Sequence, residues 1–369
     1  MSEQAELLPA VEQARPRDKR DASIDIIRGL CILSMVLAHV ASGGYAYKIT
    51  HAALWIDGAM GFVLLAGLVI GMVYRKVVER RGLGYAQSKG FKRARLLYVG
   101  HMSLCAIAFL ASAVVPGKDA TYATVESQAG WLGAAFHTLT LQVNPQNASI
   151  LSLYAVLLVL VAPSLWLLAG GRWPILVVAS LILYAAGHVF ADQTTFPRSA
   201  GEDGYLNWGT WQALFFLAMV IGWHWSTVRM QALIRSRAAL ITATLVCIVC
   251  IGAAQGLVRK GIYSGHPAAE AIIAVFEDGD LGPGTLILSF CAALVLYRLV
   301  GRAYKTLAMV LSPIERLGTQ SLGCYIILSI ITIAVPFEPA GIAADAYALA
   351  VLAVLFVWTY SKTRAKAVV

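Results

Sequence analysis

Charged residues are scarce in this chain. Only 13% of its 369 residues are Asp, Glu, Lys or Arg, whereas about a quarter is usual in soluble domains. Hydrophobic residues account for 59% of the chain, and the mean hydropathy is +0.71. This composition excludes an ordinary soluble domain and predicts an all-α, polytopic membrane helical bundle.

Two further signals are missing. The first 23 residues are polar and charged and contain no apolar core of a signal peptide, so we expect the first span to direct insertion. The six cysteines all lie in apolar segments, and the Cys247–Cys250 pair has neither a second pair nor a neighbouring histidine. We therefore expect packing roles for the cysteines and no metal site.

Long apolar runs are abundant. Ten of them are close to the length that a membrane helix needs: residues 24–42, 53–74, 94–115, 148–169, 174–190, 209–226, 236–257, 284–301, 318–337 and 343–361. The predicted domain organisation is a tail (1–23), a transmembrane domain (24–361) and a second tail (362–369).

Basic residues are distributed unevenly between the connecting segments. With the N-terminus inside, 23 of the 29 Lys and Arg residues fall on inner segments, five fall on outer segments, and Arg28 lies within the first span. This bias follows the positive-inside rule and predicts that both termini are cytoplasmic. It also explains the net charge of +9 by membrane orientation, so we expect a lipid bilayer and not nucleic acid as the partner.

Three predicted outer loops are long: 116–147, 191–208 and 258–283. The first contains WLGAAFHTLTLQ, which predicts a short interfacial or re-entrant helix, and the third is acidic through Glu270, Glu277, Asp278 and Asp280. These loops either cap an outward-facing site or are simple connections.

The most informative stretch is DIIRGLCILSMVLAH, from Asp25 to His39. Eleven helical steps separate Arg28 from His39, so the two side chains lie within roughly 20° of one another around the helix and roughly 16 Å apart along it. Asp25 precedes Arg28 by three positions and shares that face. Ionisable groups in a membrane helix are costly and usually line a functional cavity. The alternative is a helix-end anchor and a histidine bonded to a neighbouring helix.

A basic cluster opens the third span in KGFKRARLLYVGH. Lys92, Arg93 and Arg95 are candidates for holding phosphate groups, because guanidinium presents paired donors. The alternative is ordinary positive-inside charge.

Polar residues within other apolar spans are candidates for binding a sugar. Asn207, Trp211 and Gln212 combine indole faces with amides, a pairing suited to carbohydrate, although an interfacial aromatic belt is an equal alternative. Tyr154 and Ser321 are further candidates, or they bond to a neighbouring helix.

These residues carry a family resemblance. The patterns D-x-x-R-G and R-x10-H in the first span resemble the acyltransferase-3 superfamily of membrane acyltransferases, and residues 21–361 resemble its OpgC family. Six blocks in order carry the likeness: IDIIRGLCILSMVLAH, GFVLLAGLVIG, KRARLLYVGHM, ILSLYAVLLVLVAP, NWGTWQALFFL and LGTQSLGCY.

The resemblance implies transfer of an acyl group from cytoplasmic acyl-CoA to a hydroxyl of an outer glycan, in the bacterial inner membrane. It places the family histidine on His39, the family arginine on Arg28 and an arginine motif on Arg93 and Arg95. The chain departs from the family pattern at Met60, where an acid is usual, and at Ala66, where a serine is usual.

Several alternatives stay open at this stage. The resemblance favours succinyl-CoA as the donor, whereas the lack of a cation in the outer halves of the spans favours acetyl-CoA. Direct transfer and a histidine-bound acyl intermediate both fit His39 as the base or nucleophile. Asp25 is assigned to pairing with Arg28 or Arg95. A secondary transporter or glycan exporter is the alternative function, weakened because the prolines lie mainly at span ends.

Overall fold

A computed structural model describes residues 21–51, 57–146, 148–199, 204–253, 272, 275–277, 279–335 and 339–367. The tail up to residue 20 and most of the third predicted outer loop lie outside this part of the chain. The charged residues Arg259, Lys260, Glu270 and Asp278 are among those outside it.

Nearly all of the described chain is helical. The helices are α1 (Ala22–Val40), α2 (Tyr45–Thr50), α3 (Gly58–Arg81), α4 (Leu83–Val114), α5 (Gly130–Leu139), α6 (Ser149–Ala169), α7 (Trp173–Val189), α8 (Ala191–Thr194), α9 (Trp208–Trp223), α10 (Val228–Arg235), α11 (Arg237–Ala253), α12 (Pro283–Thr319), α13 (Ser321–Ala334) and α14 (Ile342–Ala367). A 3-10 turn covers Glu126–Gln128.

Six of these helices are long and apolar enough to cross a membrane: α1, α3, α4, α6, α12 and α14. Helices α9 and α10 meet the same test together but are bent by 114°, which gives up to seven spans. Helices α7, α11 and α13 are apolar but shorter. The all-α membrane bundle is therefore confirmed, while the count of ten crossings and the orientation of the termini stay predictions.

Several helices extend into segments that were predicted as inner loops. Helix α4 begins at Leu83 instead of residue 94, and only Gly82, with φ of 83°, separates it from α3. Helix α12 continues to Thr319, with non-helical dihedrals at Leu307. Lys, Arg and Glu end the apolar pattern from which the spans were predicted. These residues are good helix formers, so the helix continues beyond the apolar segment.

The outer connections contain local structure of their own. The short helix predicted in WLGAAFHTLTLQ is present as α5, and its Trp131 and Leu132 are 79% and 88% exposed, which suits an interfacial helix. The loop 191–208, predicted only as a long connection, includes an antiparallel ribbon of β1 (Thr195–Pro197) and β2 (Gly204–Asn207).

Helix α1 lies at the centre of the described bundle. It packs against α12, α3, α14 and α13, while α3 packs on α9, α9 on α7, and α4 on α6. Its middle is deeply buried, because Ile32 and Val36 are fully covered and Met35 is 2% exposed. Neighbouring helices therefore cover the middle of α1, whereas a cavity borders each of its two ends.

Two glycines allow α1 and α12 to approach closely. A Cβ added at Gly29 would collide with the carbonyl oxygen of Ile314, and one at Gly318 would collide with that of Asp25. Membrane helices gain little from apolar burial against each other, so close packing at small residues is a main source of their association.

We expect Gly318→Ala to destabilise the protein by about 1–3 kcal/mol, because the added methyl must push the two backbones apart. Thermal unfolding in detergent measures the loss. Gly84→Ala is the matched control, since a Cβ at this helical glycine meets nothing within 4 Å. Equal stability of the two variants would contradict the close contact.

Candidate active site

The N-terminal end of α1 is fixed by Asp21. One carboxylate oxygen accepts the backbone N–H of Ser23 at 3.0 Å and caps the helix, and the other accepts the hydroxyl of Tyr297, on α12, at 2.8 Å. The cap thus sets both where α1 begins and where it lies on α12.

Arg28 makes two polar contacts about two turns further along. Its Nη1 lies 3.6 Å from Oδ1 of Asp25, which is the pairing that their spacing predicts, and its Nη2 donates to Oγ of Ser321 at 2.7 Å. The Arg28 side chain is only 18% exposed. A buried guanidinium is expensive without partners, so Asp25 and Ser321 together stabilise the charge.

Tyr154 lies close to this group. It is buried on α6, its hydroxyl donates to the carbonyl oxygen of Phe62 at 2.9 Å, and it is near enough to Arg28 for an electrostatic interaction. Four residues singled out from the sequence, on helices α1, α6 and α13, are therefore neighbours: Asp25, Arg28, Tyr154 and Ser321.

A cavity of about 530 Å³ opens at this end of α1. Besides Asp25 and Arg28, its charged or polar lining includes Lys76, Arg80, Arg81, Tyr85 and Lys89. We call it the basic cavity. Lys76, Arg80 and Arg81 lie on the last turns of α3, in a segment that sequence reasoning treated as loop charge. Lys89 lies on α4 and belongs to the basic cluster that the segment KGFKRARLLYVGH predicts. The i, i+4 spacing of Lys76 and Arg80 was the signal that would have placed them on one face.

The predicted phosphate cluster lies beside the basic cavity and not in its lining. Lys92, Arg93 and Arg95 are all exposed on α4. Arg93 is nevertheless close enough to act electrostatically on Arg28 and Tyr154. The positive charge at this end of the bundle is therefore shared between the cavity wall and the outer face of α4.

His39 lies in the last turn of α1, at the opposite end from Arg28. It lines a cavity of about 340 Å³, which we call the histidine cavity. Its other polar lining residues are Ser42, Lys118, Thr121, Tyr122, Gln146, Thr332 and Tyr347. The imidazole ring of His39 makes no hydrogen bond to any described residue, so its nitrogens are available to a ligand in the cavity.

Asn207, Trp211 and Gln212 are at most 1% exposed, and bonds within the protein occupy their side chains. Asn207 caps α9 and donates to Gly187 and Asp280, and the Trp211 indole donates to the carbonyl of Gly279. The amide oxygen of Gln212 accepts from the hydroxyl of Ser180, and its amide nitrogen donates to the carbonyl oxygen of Ser180. These contacts join α9 to α7 and to the loop before α12, and the sugar-binding role of the three residues stays a prediction.

Sequence reasoning missed a serine–histidine pair beside α1. Oγ of Ser34 lies 3.0 Å from Nε2 of His51, whose Nδ1 lies 3.0 Å from the hydroxyl of Thr50. Because that hydroxyl donates to the carbonyl of Ala46, Nδ1 carries the proton and Nε2 accepts from Ser34. Burial lowers the pKa of His51, and the nearby Asp57 partly offsets this shift. The pair lines neither of the two cavities.

Met60, where the resemblance leads us to expect an acid, is completely buried, and its sulfur lies 3.9 Å from the hydroxyl of Ser289. The neighbouring acid is Asp57, which caps α3 by accepting the N–H of Met60 at 2.8 Å. The second span therefore carries its carboxylate three residues earlier than the family pattern does, at the helix start.

Comparison with known protein families identifies the family of the chain. The model of a family described as "OpgC protein" matches residues 20–367, nearly the whole chain. No curated protein and no solved structure gives a significant match.

A double-mutant cycle tests the contact between Arg28 and Ser321. We expect Arg28→Gln and Ser321→Ala to couple by about 1.5–3 kcal/mol in the free energy of unfolding, the usual range for a hydrogen bond to a charged group. Ser329→Ala, also buried on α13, is the control, because its hydroxyl bonds to Tyr325 on its own helix. Its coupling to Arg28 should stay below about 0.5 kcal/mol. Equal coupling in both cycles would rule out a specific contact.

Proposed function

Because the chain belongs to the OpgC family of membrane glucan-modifying acyltransferases, we propose that it moves an acyl group, succinyl in preference to acetyl, from cytoplasmic acyl-CoA to a glycan hydroxyl outside the cytoplasm. One observation carries the proposal beyond the family: the two ends of α1 open onto different polar cavities, one rich in cations and one containing His39. A reaction that takes its donor from one side and its acceptor from the other needs such a pair of sites.

The basic cavity is the donor site in this proposal. CoA carries several phosphate groups, and Lys76, Arg80, Arg81 and Lys89 line the cavity beside Arg28. Guanidinium and ammonium groups make the strongest hydrogen bonds to phosphate oxygens. Arg93 supports the site from its exposed position through its charge, and Lys92 and Arg95 attract the donor from the face of α4. No metal takes part.

His39 is the catalytic base. It takes the proton of the acceptor hydroxyl while the hydroxyl oxygen attacks the thioester carbonyl carbon. A C–O bond forms, the C–S bond breaks, and the departing CoA thiolate receives the proton from the imidazolium. Imidazole suits both transfers because its ordinary pKa is near the working pH. In the alternative route, His39 first takes the acyl group itself and then passes it to the acceptor hydroxyl.

Arg28 and Asp25 position the donor. The thioester must travel roughly 16 Å along α1 to reach His39. Tyr154 and Ser321 lie at the start of that route, beside Arg28. The buried core around Ile32 and Val36 closes the route in this structure, so the acyl chain must displace side chains there. In this proposal the enzyme is a multi-pass protein of the bacterial inner membrane, as the family resemblance implies.

A secondary transporter or glycan exporter is the second candidate. Interrupted helices are typical of transporters, and the described bundle contains two: the 114° bend between α9 and α10, and the break at Leu307 in α12. A transporter of this kind would not release CoA from a thioester, so turnover of acyl-CoA separates the two functions.

We expect His39→Gln to lower acceptor-dependent release of CoA by at least ~100-fold, the smaller end of what a general base contributes. The assay follows free thiol in detergent with succinyl-CoA, acetyl-CoA and oligoglucans. His188→Gln is the control, since His188 is exposed on α7 and lies against Tyr184. Parent-like release by His39→Gln would remove His39 from the chemistry, and absence of release by the parent would favour the transporter.

The donor site has its own test. Removing two cavity cations, in Lys76→Gln/Arg80→Gln, should raise the KM for acyl-CoA about tenfold, as expected for a lost charge-assisted contact. The KM for the matching acyl-pantetheine, which lacks all of the phosphates, should change little. Arg302→Gln/Lys305→Gln removes the same charge from exposed positions of α12 and serves as the control. A larger effect in Lys92→Gln/Arg95→Gln would move the phosphates to the face of α4.

A further inference from the structure

A buried lysine lines the same cavity as His39. Lys118 lies in the turn after α4 and is 6% exposed. The turn is held by its backbone: the N–H of Lys118 donates to Val115, and its carbonyl accepts from Thr121 and Tyr122. Gly117, with φ of 81°, supplies the left-handed conformation that precedes it. The position of the ammonium group is therefore set by the fold.

The ammonium group is only partly satisfied by the described protein. Nζ donates to the carbonyl oxygen of Thr332 at 3.3 Å, in the last turn of α13, and lies 5.6 Å from the centre of the Tyr122 ring. An ammonium group has three donors. No carboxylate of a described residue lies within 4 Å of it, and a buried charge without a counter-charge is costly.

The histidine cavity is lined by the ammonium group of Lys118 and, among the described residues, by no carboxylate. Of the described residues that line it, none is Asp or Glu, and Asp119, next to Lys118 in the chain, is exposed. The remaining polar lining consists of hydroxyl and amide groups, such as Ser42, Thr121 and Gln146. Such a cavity complements a ligand that brings a carboxylate of its own.

We propose that Lys118 binds the free carboxylate of a dicarboxylic acyl group while His39 acts on the carbonyl at the other end of the same group. The inference rests on the proposed acyl transfer and names the acyl class that this site selects. A four-carbon acyl chain fits within about 340 Å³, with one end at each of the two side chains. A monocarboxylic acyl group such as acetyl leaves Lys118 unpaired, so the lysine is a specificity-determining residue.

The test compares donors on the full-length protein in detergent. Succinyl-CoA is set against succinamoyl-CoA, which has nearly the same shape and no charge, and acetyl-CoA is the small neutral donor. The measured quantity is kcat/KM for CoA release with each donor at a fixed level of oligoglucan. We expect the parent to prefer succinyl-CoA over succinamoyl-CoA by at least tenfold.

In Lys118→Gln this preference should fall to about one, through a loss on succinyl-CoA of tenfold or more, with neutral donors within about twofold of the parent. Lys118→Arg, which keeps the charge, should keep a preference for succinyl-CoA. Lys48→Gln, which removes an exposed lysine of α2, should behave as the parent does. The KM for the acceptor should be the same in all variants, because the proposal assigns the carboxylate to the donor.

Other outcomes overturn the inference. An equal loss of kcat/KM on all donors in Lys118→Gln, with a lowered melting temperature, would mean that Lys118 has only a structural role, through its hydrogen bond to the last turn of α13. An unchanged preference would mean that it does not meet the donor, and a change confined to the acceptor KM would assign it to an anionic acceptor. A parent active only on neutral donors would overturn this inference and the preference for succinyl but leave acyl transfer itself standing, whereas a parent inactive on every donor would overturn the proposed acyl transfer as well.

Discussion

The backbone contact between Gly318 and Asp25 sets the distance between α1 and α12, and the charged group at the N-terminal end of α1 depends on it. Any side chain at Gly318 would hold the two helices apart. With them in contact, Ser321, three residues later, is brought to 2.7 Å from Arg28. A guanidinium in a membrane helix needs partners placed to within a few tenths of an ångström, and helix packing supplies that accuracy.

Helix α1 has a different chemical environment at each of its two ends. At its start, cations from α3 and α4 surround Arg28; at its end, a turn and two helices surround His39. The apolar middle keeps the two environments apart. In the proposed reaction, an acyl-CoA whose acyl group ends in a carboxylate carries negative charge at both ends, and each environment offers positive charge to one of them.

The buried aromatic and amide residues of α9 show why residue type alone does not identify a binding site. Trp211 and Gln212 have the chemistry that binds sugars, yet the same donors and acceptors satisfy Gly279 and Ser180 inside the bundle. A polar group inside a membrane protein must be paired, so packing and recognition draw on the same residues. Which of the two operates depends on whether a cavity lies beside the group.

The sequence by itself determined the membrane class, the apolar part of each long helix and the alignment of Asp25, Arg28 and His39 along α1, because hydropathy and helical periodicity are local properties. It also carried the family, through motifs spread over the whole chain. The tertiary structure decided which charges share a cavity. Lys76 and Arg80 were interpreted as loop charges, but α3 extends through both of them. Lys118 belongs to a connection whose chemistry no span pattern describes. Only the folding of that turn against α13 brings its ammonium group to His39's cavity, because contacts between distant segments depend on packing and not on spacing along the chain.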